Sequence, residues 1–155
     1  MDKLRQLSRT EVPFDPGPES LPPAPGFQHN PHDRIPIPRE RAMGYFFSYA
    51  DGKGPDFDIP GSAMIDVREA LRIAVTEAGP ACPVQMHKFE SNDRWHVSPE
   101  EAQAIADLLG GRKAELLDSD YRCYVDGVSD GLVGELRALG EFSGRAATRG
   151  GFYVS

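Results

Sequence analysis

Proline is unevenly distributed along this chain, and its distribution limits what the N-terminal part can fold into. Nine of the 14 prolines precede residue 43. Because the proline ring fixes φ and removes the backbone N–H donor, a proline-dense segment forms neither a long helix nor a central β-strand. The tracts 16–18 and 21–26 favour extended, polyproline-like backbone. The sequence therefore predicts an extended arm over residues 1–42 and a globular domain over residues 43–155.

The formal charge divides at the same boundary. The arm carries six basic and six acidic side chains, so the whole net charge of −7 falls on the globular domain. This acidic balance argues against direct nucleic-acid binding, for which a clustered basic surface is expected. The chain also lacks an apolar run of about 18 residues and a basic amphipathic helix, so we expect no membrane association.

The cysteine and histidine content bears on compartment and cofactors. Cys82 and Cys123 are too few for a disulfide framework, and no signal sequence is recognisable, so we expect a cytoplasmic protein with buried, unreactive thiols. The four histidines stand near no Cys-x-x-Cys pair, and no phosphate-binding glycine loop is present. We therefore expect no metal and no cofactor.

Hydrophobic periodicity and turn signals predict an α+β domain, with about three helices packed on a small, mostly antiparallel sheet. Strands are expected at 45–50, 56–59, 84–89, 95–97 and 152–154, and helices at 62–78, 98–109 and 130–149. The segment 116–128 fits either a helix or a strand. The clearest local signal is a capping box, in which Ser98 precedes Pro99 at the first helical position and Glu101 at the third.

One polar segment lies among aromatic residues and contains the candidate catalytic residues. Ser91 could act as a nucleophile, with His96 as base and Asp93 orienting the histidine. The alternative is a tight turn in which Asp93 bonds the local backbone and Trp95 packs in the core. No nucleophile elbow or oxyanion hole is recognisable nearby, and strand alternation places His96 opposite Trp95, pointing outward.

Two groups of residues are candidates for binding a protein partner. The arm carries apolar side chains at intervals, as a chain that lies along a groove would. The domain carries two acidic runs, one before residue 67 and one after residue 114, which form either a solvated face or an electronegative surface for a basic partner. The candidate partner-binding residues are Phe14, Leu21, Phe27, Ile35, Ile37, Asp56, Asp58, Asp118 and Asp120.

One segment resembles a segment of small bacterial proteins of unknown function. From Lys88 to Glu101 this chain reads Lys-Phe-Glu-Ser-Asn-Asp-Arg-Trp-His-Val-Ser-Pro-Glu-Glu. The bacterial proteins read Ser-Asn-Asp-Gly-Trp, a hydrophobic residue, and then Thr/Ser-Pro-Glu-Glu, so Arg94 stands where they have glycine. The stretch from Phe142 to Val154 is similar to their closing helix and strand. The resemblance covers residues 43–155 and implies no established activity.

Three functions remain open from the sequence. The favoured one is a non-enzymatic interaction protein or accessory subunit, either immunity-like or part of a phage or other complex, whose arm docks on a partner. The second is a small hydrolase or transferase that uses Ser91, Asp93 and His96. The third is an acidic mimic of nucleic acid. The sequence leaves a homo-oligomer open.

Overall fold

The structure is a computed structural model, and it describes residues 44–155. The arm, with the candidate residues Phe14, Leu21, Phe27, Ile35 and Ile37, lies outside the described residues. The elements, in chain order, are β1 (Gly44–Tyr49), β2 (Phe57–Pro60), α1 (Gly61–Ala78), a 3₁₀ turn (Met86–Phe89), β3 (Trp95–Val97), α2 (Pro99–Leu109), α3 (Lys113–Arg122), α4 (Leu132–Ala147) and β4 (Phe152–Val154). The predicted α+β class is confirmed.

The four strands form one antiparallel sheet in the order β2-β1-β4-β3. The β1–β2 hairpin brings Phe46 opposite Asp58. The last strand, β4, lies between β1 and β3, and Val154 is opposite both Phe47 and Trp95. The sheet therefore joins the first and last described segments of the chain.

Alternate residues of the sheet meet α4 in an aromatic core. The ring of Phe142 stacks on Tyr49 at 4.5 Å and packs edge-to-face on Phe152 at 5.4 Å. Phe47 lies 6.0 Å from Phe152 and is fully buried. Large aromatic side chains supply most of the apolar area in such a core. This cluster holds α4 against the sheet. Buried side chains of α1, α2 and α3 complete the hydrophobic core.

Helix α4 lies close to α2 because it carries glycine at the contact. A Cβ built on Gly140 would lie 3.0 Å from the Leu109 Cβ, and one on Gly144 would lie 3.5 Å from the Ala106 Cβ. Glycine destabilises a helix interior by about 1 kcal/mol relative to alanine, so packing against α2 must offset this cost at Gly140.

The predicted start of α2 is confirmed. The Ser98 side chain accepts a hydrogen bond from the Glu101 N–H, the Glu101 side chain accepts one from the Ser98 N–H, and Pro99 opens the helix. Each of these two backbone N–H groups is thus bonded by the other residue's side chain, as a capping box requires.

The predicted strand over 84–89 is wrong, because this segment forms a 3₁₀ turn over Met86–Phe89. Its backbone bonds are local, with the Lys88 N–H donating to the Gln85 carbonyl at 3.2 Å. Phe89 is fully buried, so the segment is anchored in the core without joining the sheet. The segment 116–128, which fits either a helix or a strand by sequence, lies partly in α3, which ends at Arg122. The described domain therefore has four helices where about three are expected.

The expectation of buried thiols is wrong for Cys123, which is exposed, while Cys82 is partly buried. Cys123 follows the last residue of α3, where the helix ends at the surface. Among the helices of residues 44–155, none is both long enough and apolar enough to span a bilayer.

Candidate protein-interaction surface

Helix α3 buries one narrow stripe and leaves apolar surface beside it. Ala114, Leu117 and Tyr121 recur at helical spacing and are buried against the domain. Leu116 lies next to this stripe and is 58% exposed. A single exposed leucine is ordinary, but a group of exposed apolar side chains often marks a binding surface.

Such side chains follow directly after α3. The chain leaves the helix through a turn in which the N–H groups of Tyr124 and Val125 both donate to the Tyr121 carbonyl, at 3.0 and 3.1 Å. This turn directs Tyr124 outward, where it is 85% exposed, and Val125 is 36% exposed. Within residues 44–155, three of the five exposed large hydrophobic side chains therefore belong to α3 or the three residues after it.

The position of α3 on α1 is fixed by Asp66. The Tyr121 hydroxyl donates to Asp66 Oδ1 at 3.2 Å, and the Ser129 N–H donates to Asp66 Oδ2 at 3.0 Å. Burial raises the pKa of Tyr121, and the negative charge of Asp66 raises it further. One carboxylate thus connects α1, α3 and the loop that leads to α4.

Arg122 closes the C-terminal end of α3. Its guanidinium bonds the Asp118 carboxylate at 2.9 Å and donates to the carbonyls of Val128 and Ser129 at 3.3 and 2.7 Å. The hydrogen bond to Asp118 raises the pKa of Arg122. Asp118, a predicted partner-binding residue, is therefore engaged within the domain. Asp120, the other predicted residue on α3, is exposed.

Two cavities of about 380 Å³ each open along the junction of α1 and α3. The first is lined by Glu69, Arg72, Ile73, Thr76, Glu77, Tyr121 and Val125. The second is lined by Ala74, Glu77, Ala78, Leu108, Lys113, Leu116, Leu117 and Asp120. Because Glu77 lines both, the cavities are neighbours, and we call them together the α1–α3 groove. Its floor is mainly apolar and its rim is charged.

Two carboxylates and one ammonium on this rim have no ion-pair partner among the described residues, so the unpaired charge is negative on balance. Arg72 forms ion pairs with Glu69 and Glu90, at 3.6 and 3.2 Å, and the Lys113 ammonium donates to the Asp107 carbonyl at 2.6 Å. Glu77 and Asp120 are exposed, and neither forms an ion pair with any residue of the described domain. The groove therefore presents two free carboxylates beside apolar side chains.

A larger cavity of about 520 Å³ lies between the end of α2 and α4. Its two charged side chains have partners, since Arg137 pairs with Glu115 and Glu141 lies 4.0 Å from Arg145. Gly110, Gly111 and Gly140 form much of the remaining wall. It offers neither a free charge nor an exposed large apolar side chain, so the α1–α3 groove is the better binding surface.

The three candidate catalytic residues are only partly brought together. The Ser91 hydroxyl donates to Asp93 Oδ2 at 2.6 Å and accepts a hydrogen bond from Trp95 Nε1 at 3.0 Å. His96 Nε2 lies 3.0 Å from the Gly150 carbonyl, and its ring packs on Tyr153 at 5.0 Å. Ser91 is thus bonded on the Trp95 side of β3, while His96 contacts β4 and the loop before it.

This arrangement does not place His96 as the base for Ser91, whose hydroxyl donates to Asp93 instead. A carbonyl only accepts, so His96 Nε2 donates its proton to Gly150 in this contact. No hydrogen bond joins His96 to Ser91 or Asp93 in the described part of the chain. The turn that the sequence offered as the alternative also differs from expectation, because Trp95 is 37% exposed and lies at the sheet edge against His87, with the rings 5.1 Å apart.

The first acidic pair lies on β2 and the loop before it. Asp56 and Asp58 are both exposed. Burial raises the pKa of Glu135 on α4, and the negative charge of Asp58 raises it further. Across residues 44–155, no group of three or more His, Cys, Asp and Glu side chains is arranged to hold a metal ion.

The groove residues other than Asp120 were not predicted from the sequence. Leu116 could have been found as an apolar residue beside the stripe formed by Ala114, Leu117 and Tyr121, once a helix was assigned there. Glu77 carries no local signal, because its place in the groove depends on the packing of α1 against α3.

Comparison with models of protein families finds no match to this chain, and comparisons with curated proteins and with solved structures also find no similar protein. The groove and its charges are therefore the features of the molecule that bear on function.

Proposed function

We propose that this chain is a non-enzymatic protein-interaction module, an accessory subunit that binds a partner protein through the α1–α3 groove. The observation that carries the proposal is that exposed Leu116 and Val125 line the α1–α3 groove, with exposed Tyr124 next to Val125 in the chain. Contiguous exposed apolar surface rimmed by polar residues is typical of protein-binding sites. Tyrosine is also among the residues that most often dominate binding energy.

The arm is the second contact in this proposal. Its apolar side chains, including Phe14, Phe27 and Ile35, are spaced between prolines, and a stiff extended chain loses less entropy on binding than a flexible one. Two weak contacts on one chain give higher affinity together than either gives alone. In this proposal the arm increases the affinity for the partner protein, and the groove determines which protein is bound.

A matched pair of substitutions tests the proposal. Leu116→Asn changes a groove residue that is 58% exposed, and Ile65→Asn changes a helical residue that is 56% exposed and lines neither cavity. Full-length tagged proteins are incubated with lysate of the native organism, and bound proteins are quantified by mass spectrometry. We expect the wild type and Ile65→Asn to retain a common partner that Leu116→Asn loses.

Thermal unfolding of both variants serves as the control for folding, because both side chains are exposed. A full-length variant with Phe14→Ser, Phe27→Ser and Ile35→Ser tests the arm, and we expect it to retain the same partner with lower recovery. Equal capture by wild type and Leu116→Asn, or no reproducible capture by wild type, contradicts the proposal.

A further inference from the structure

We infer that the α1–α3 groove binds a basic amphipathic helix of the partner protein. The inference rests on the proposed function and names the chemistry of the partner. It follows from the position of the two cavities along α1 and α3 and from the negative charges of Glu77 and Asp120 at these cavities.

The two helices run antiparallel along the groove. The start of α1 is bonded to the end of α3 through Asp66 and Tyr121, while Ala74 near the end of α1 lines the second cavity together with Leu116 and Leu117. An apolar groove between two adjacent helices is the kind of surface that an amphipathic helix occupies.

The two cavities are lined by successive turns of α3 and the residues that follow it. Tyr121 lines the first cavity and Leu117 the second, and these residues are one turn apart on α3. One turn spans about 5.4 Å along a helix axis. The apolar linings, Tyr121 and Val125 in the first cavity and Leu116 and Leu117 in the second, lie one to two turns apart. Apolar side chains one to two turns apart on a partner helix aligned with α3 therefore face both cavities.

The balance of the free charges favours a basic partner. Glu77 lines both cavities, so it lies between the two expected apolar anchors, and Asp120 lies beside the second. Arg72 is paired with Glu69 and Glu90, whereas Lys113 donates to the neutral Asp107 carbonyl and keeps its charge. Glu77 and Asp120 (−2) with Lys113 (+1) therefore leave the groove a net unpaired charge of −1. Lysine or arginine beside the anchors satisfies Glu77 and Asp120, whereas an acidic helix is repelled. The same charges disfavour anionic lipid and nucleic acid.

Two synthetic helical peptides test the inference on the full-length chain. Both carry leucine at positions i, i+3, i+4 and i+7, and their remaining positions are mainly lysine in one and mainly glutamate in the other. Binding is measured by calorimetry and mapped by amide chemical shifts. We expect the lysine peptide to bind at least about tenfold more tightly, with shifts concentrated in residues 69–78 and 113–125.

Charge-matched double variants locate the effect. Replacing Glu77→Gln and Asp120→Asn removes two carboxylates from the groove, and we expect about three- to tenfold weaker binding of the lysine peptide. Replacing Asp56→Asn and Asp58→Asn removes the same charge from the β2 region, and we expect no change. Equal loss in both double variants shows only a general effect of net charge and overturns the inference.

The remaining outcomes are also decisive. No binding of the lysine peptide, equal binding of both peptides, or shifts outside the groove each overturn the inference. So does self-association that Leu116→Asn abolishes, because a second copy then occupies the groove. If Leu116→Asn loses the native partner while the peptides bind alike, the proposed function stands and only the basic helix is excluded. If native capture is also unaffected, both fail.

Discussion

The Lys88 ammonium lies 2.6 Å from the carboxylate of Glu101, and Glu101 is only 3% exposed. The same carboxylate accepts hydrogen bonds from the Ser98 N–H at 2.9 Å and the Gln85 N–H at 3.1 Å. One side chain therefore caps α2 and holds the 3₁₀ turn that the sequence suggested as a strand. A buried carboxylate is tolerated here because three hydrogen-bond donors contact its oxygens.

Replacing Glu101 with glutamine removes the charge that Lys88 requires. Removing one partner of a buried ion pair leaves the other uncompensated, so we expect the free energy of unfolding to fall by about 3 kcal/mol. Urea denaturation of the wild type and Glu101→Gln measures the difference. Glu100→Gln, in the same turn but exposed, is the matched control and should cost less than about 1 kcal/mol. Similar losses in both variants would refute this role for Glu101.

The contribution of Glu101 should depend on pH. Burial by itself raises the pKa of Glu101, but the hydrogen bonds from Lys88, Ser98 and Gln85 together leave it below its ordinary value. A carboxyl with a lowered folded pKa contributes stability above its unfolded pKa and loses it as the pH falls through the folded pKa. The stability difference between wild type and Glu101→Gln should therefore be full at pH 7 and shrink below about pH 4.3. A difference that is constant between pH 7 and pH 3 contradicts this.

Replacing Asp66 with asparagine should loosen α3 and change the titration of Tyr121. The variant removes the negative charge beside the Tyr121 hydroxyl, so the pKa of Tyr121 should move down toward its ordinary value of 10.0. It also removes an acceptor from either Tyr121 or the Ser129 N–H, at a cost of about 1–2 kcal/mol. The ¹³Cζ shift of labelled Tyr121 followed through alkaline pH measures the first effect, and urea denaturation measures the second. An unchanged titration would show that Asp66 does not act on this phenol.

Arg94 has φ = 59°, the only positive φ of a non-glycine residue in the described domain. The left-handed region costs an L-residue about 1–2 kcal/mol, and glycine avoids this cost. Arg94→Gly and Arg94→Ala both remove the contact of the guanidinium with Tyr153, 5.5 Å from the ring centre, but only glycine relieves the backbone. We expect Arg94→Gly to be more stable than Arg94→Ala by about 1 kcal/mol in thermal or urea unfolding. Equal stability of the two variants would contradict the expected strain.

Two glycines of α4 should respond oppositely to alanine. A Cβ at Gly134 meets nothing within 4 Å, so Gly134→Ala should stabilise by about 1 kcal/mol through helix propensity. At Gly140 the Cβ would lie 3.0 Å from Leu109 Cβ and 3.6 Å from its carbonyl carbon, so Gly140→Ala should destabilise by about 1–3 kcal/mol. Thermal unfolding of the two variants gives the signs. A rise in melting temperature for both would show that α2 and α4 can separate at no cost.

Local sequence signals predicted the parts of this fold that depend on local bonds. The Ser98 capping box was readable because both of its bonds join residues three apart. The alternation of residues 84–89 resembles that of a strand, but Glu101, 16 residues from Gln85, holds this backbone in a turn. The groove shows the same limit. Asp120 was visible as an acidic residue, but its relation to Glu77 exists only once α1 and α3 are packed.

The place of β4 between β1 and β3 has a consequence for how the chain reaches its native state. The β1–β2 hairpin can form early from neighbouring residues, but among the described strands β3 pairs only with β4. Sheet assembly must therefore wait for the distant pairing of Phe47 with Val154, and such non-local contacts slow folding. Until that pairing, β1 carries an open edge next to apolar side chains, which is the form most prone to aggregate. A nascent chain cannot close this edge of β1 until residues 152–154 have been synthesised and have left the ribosome.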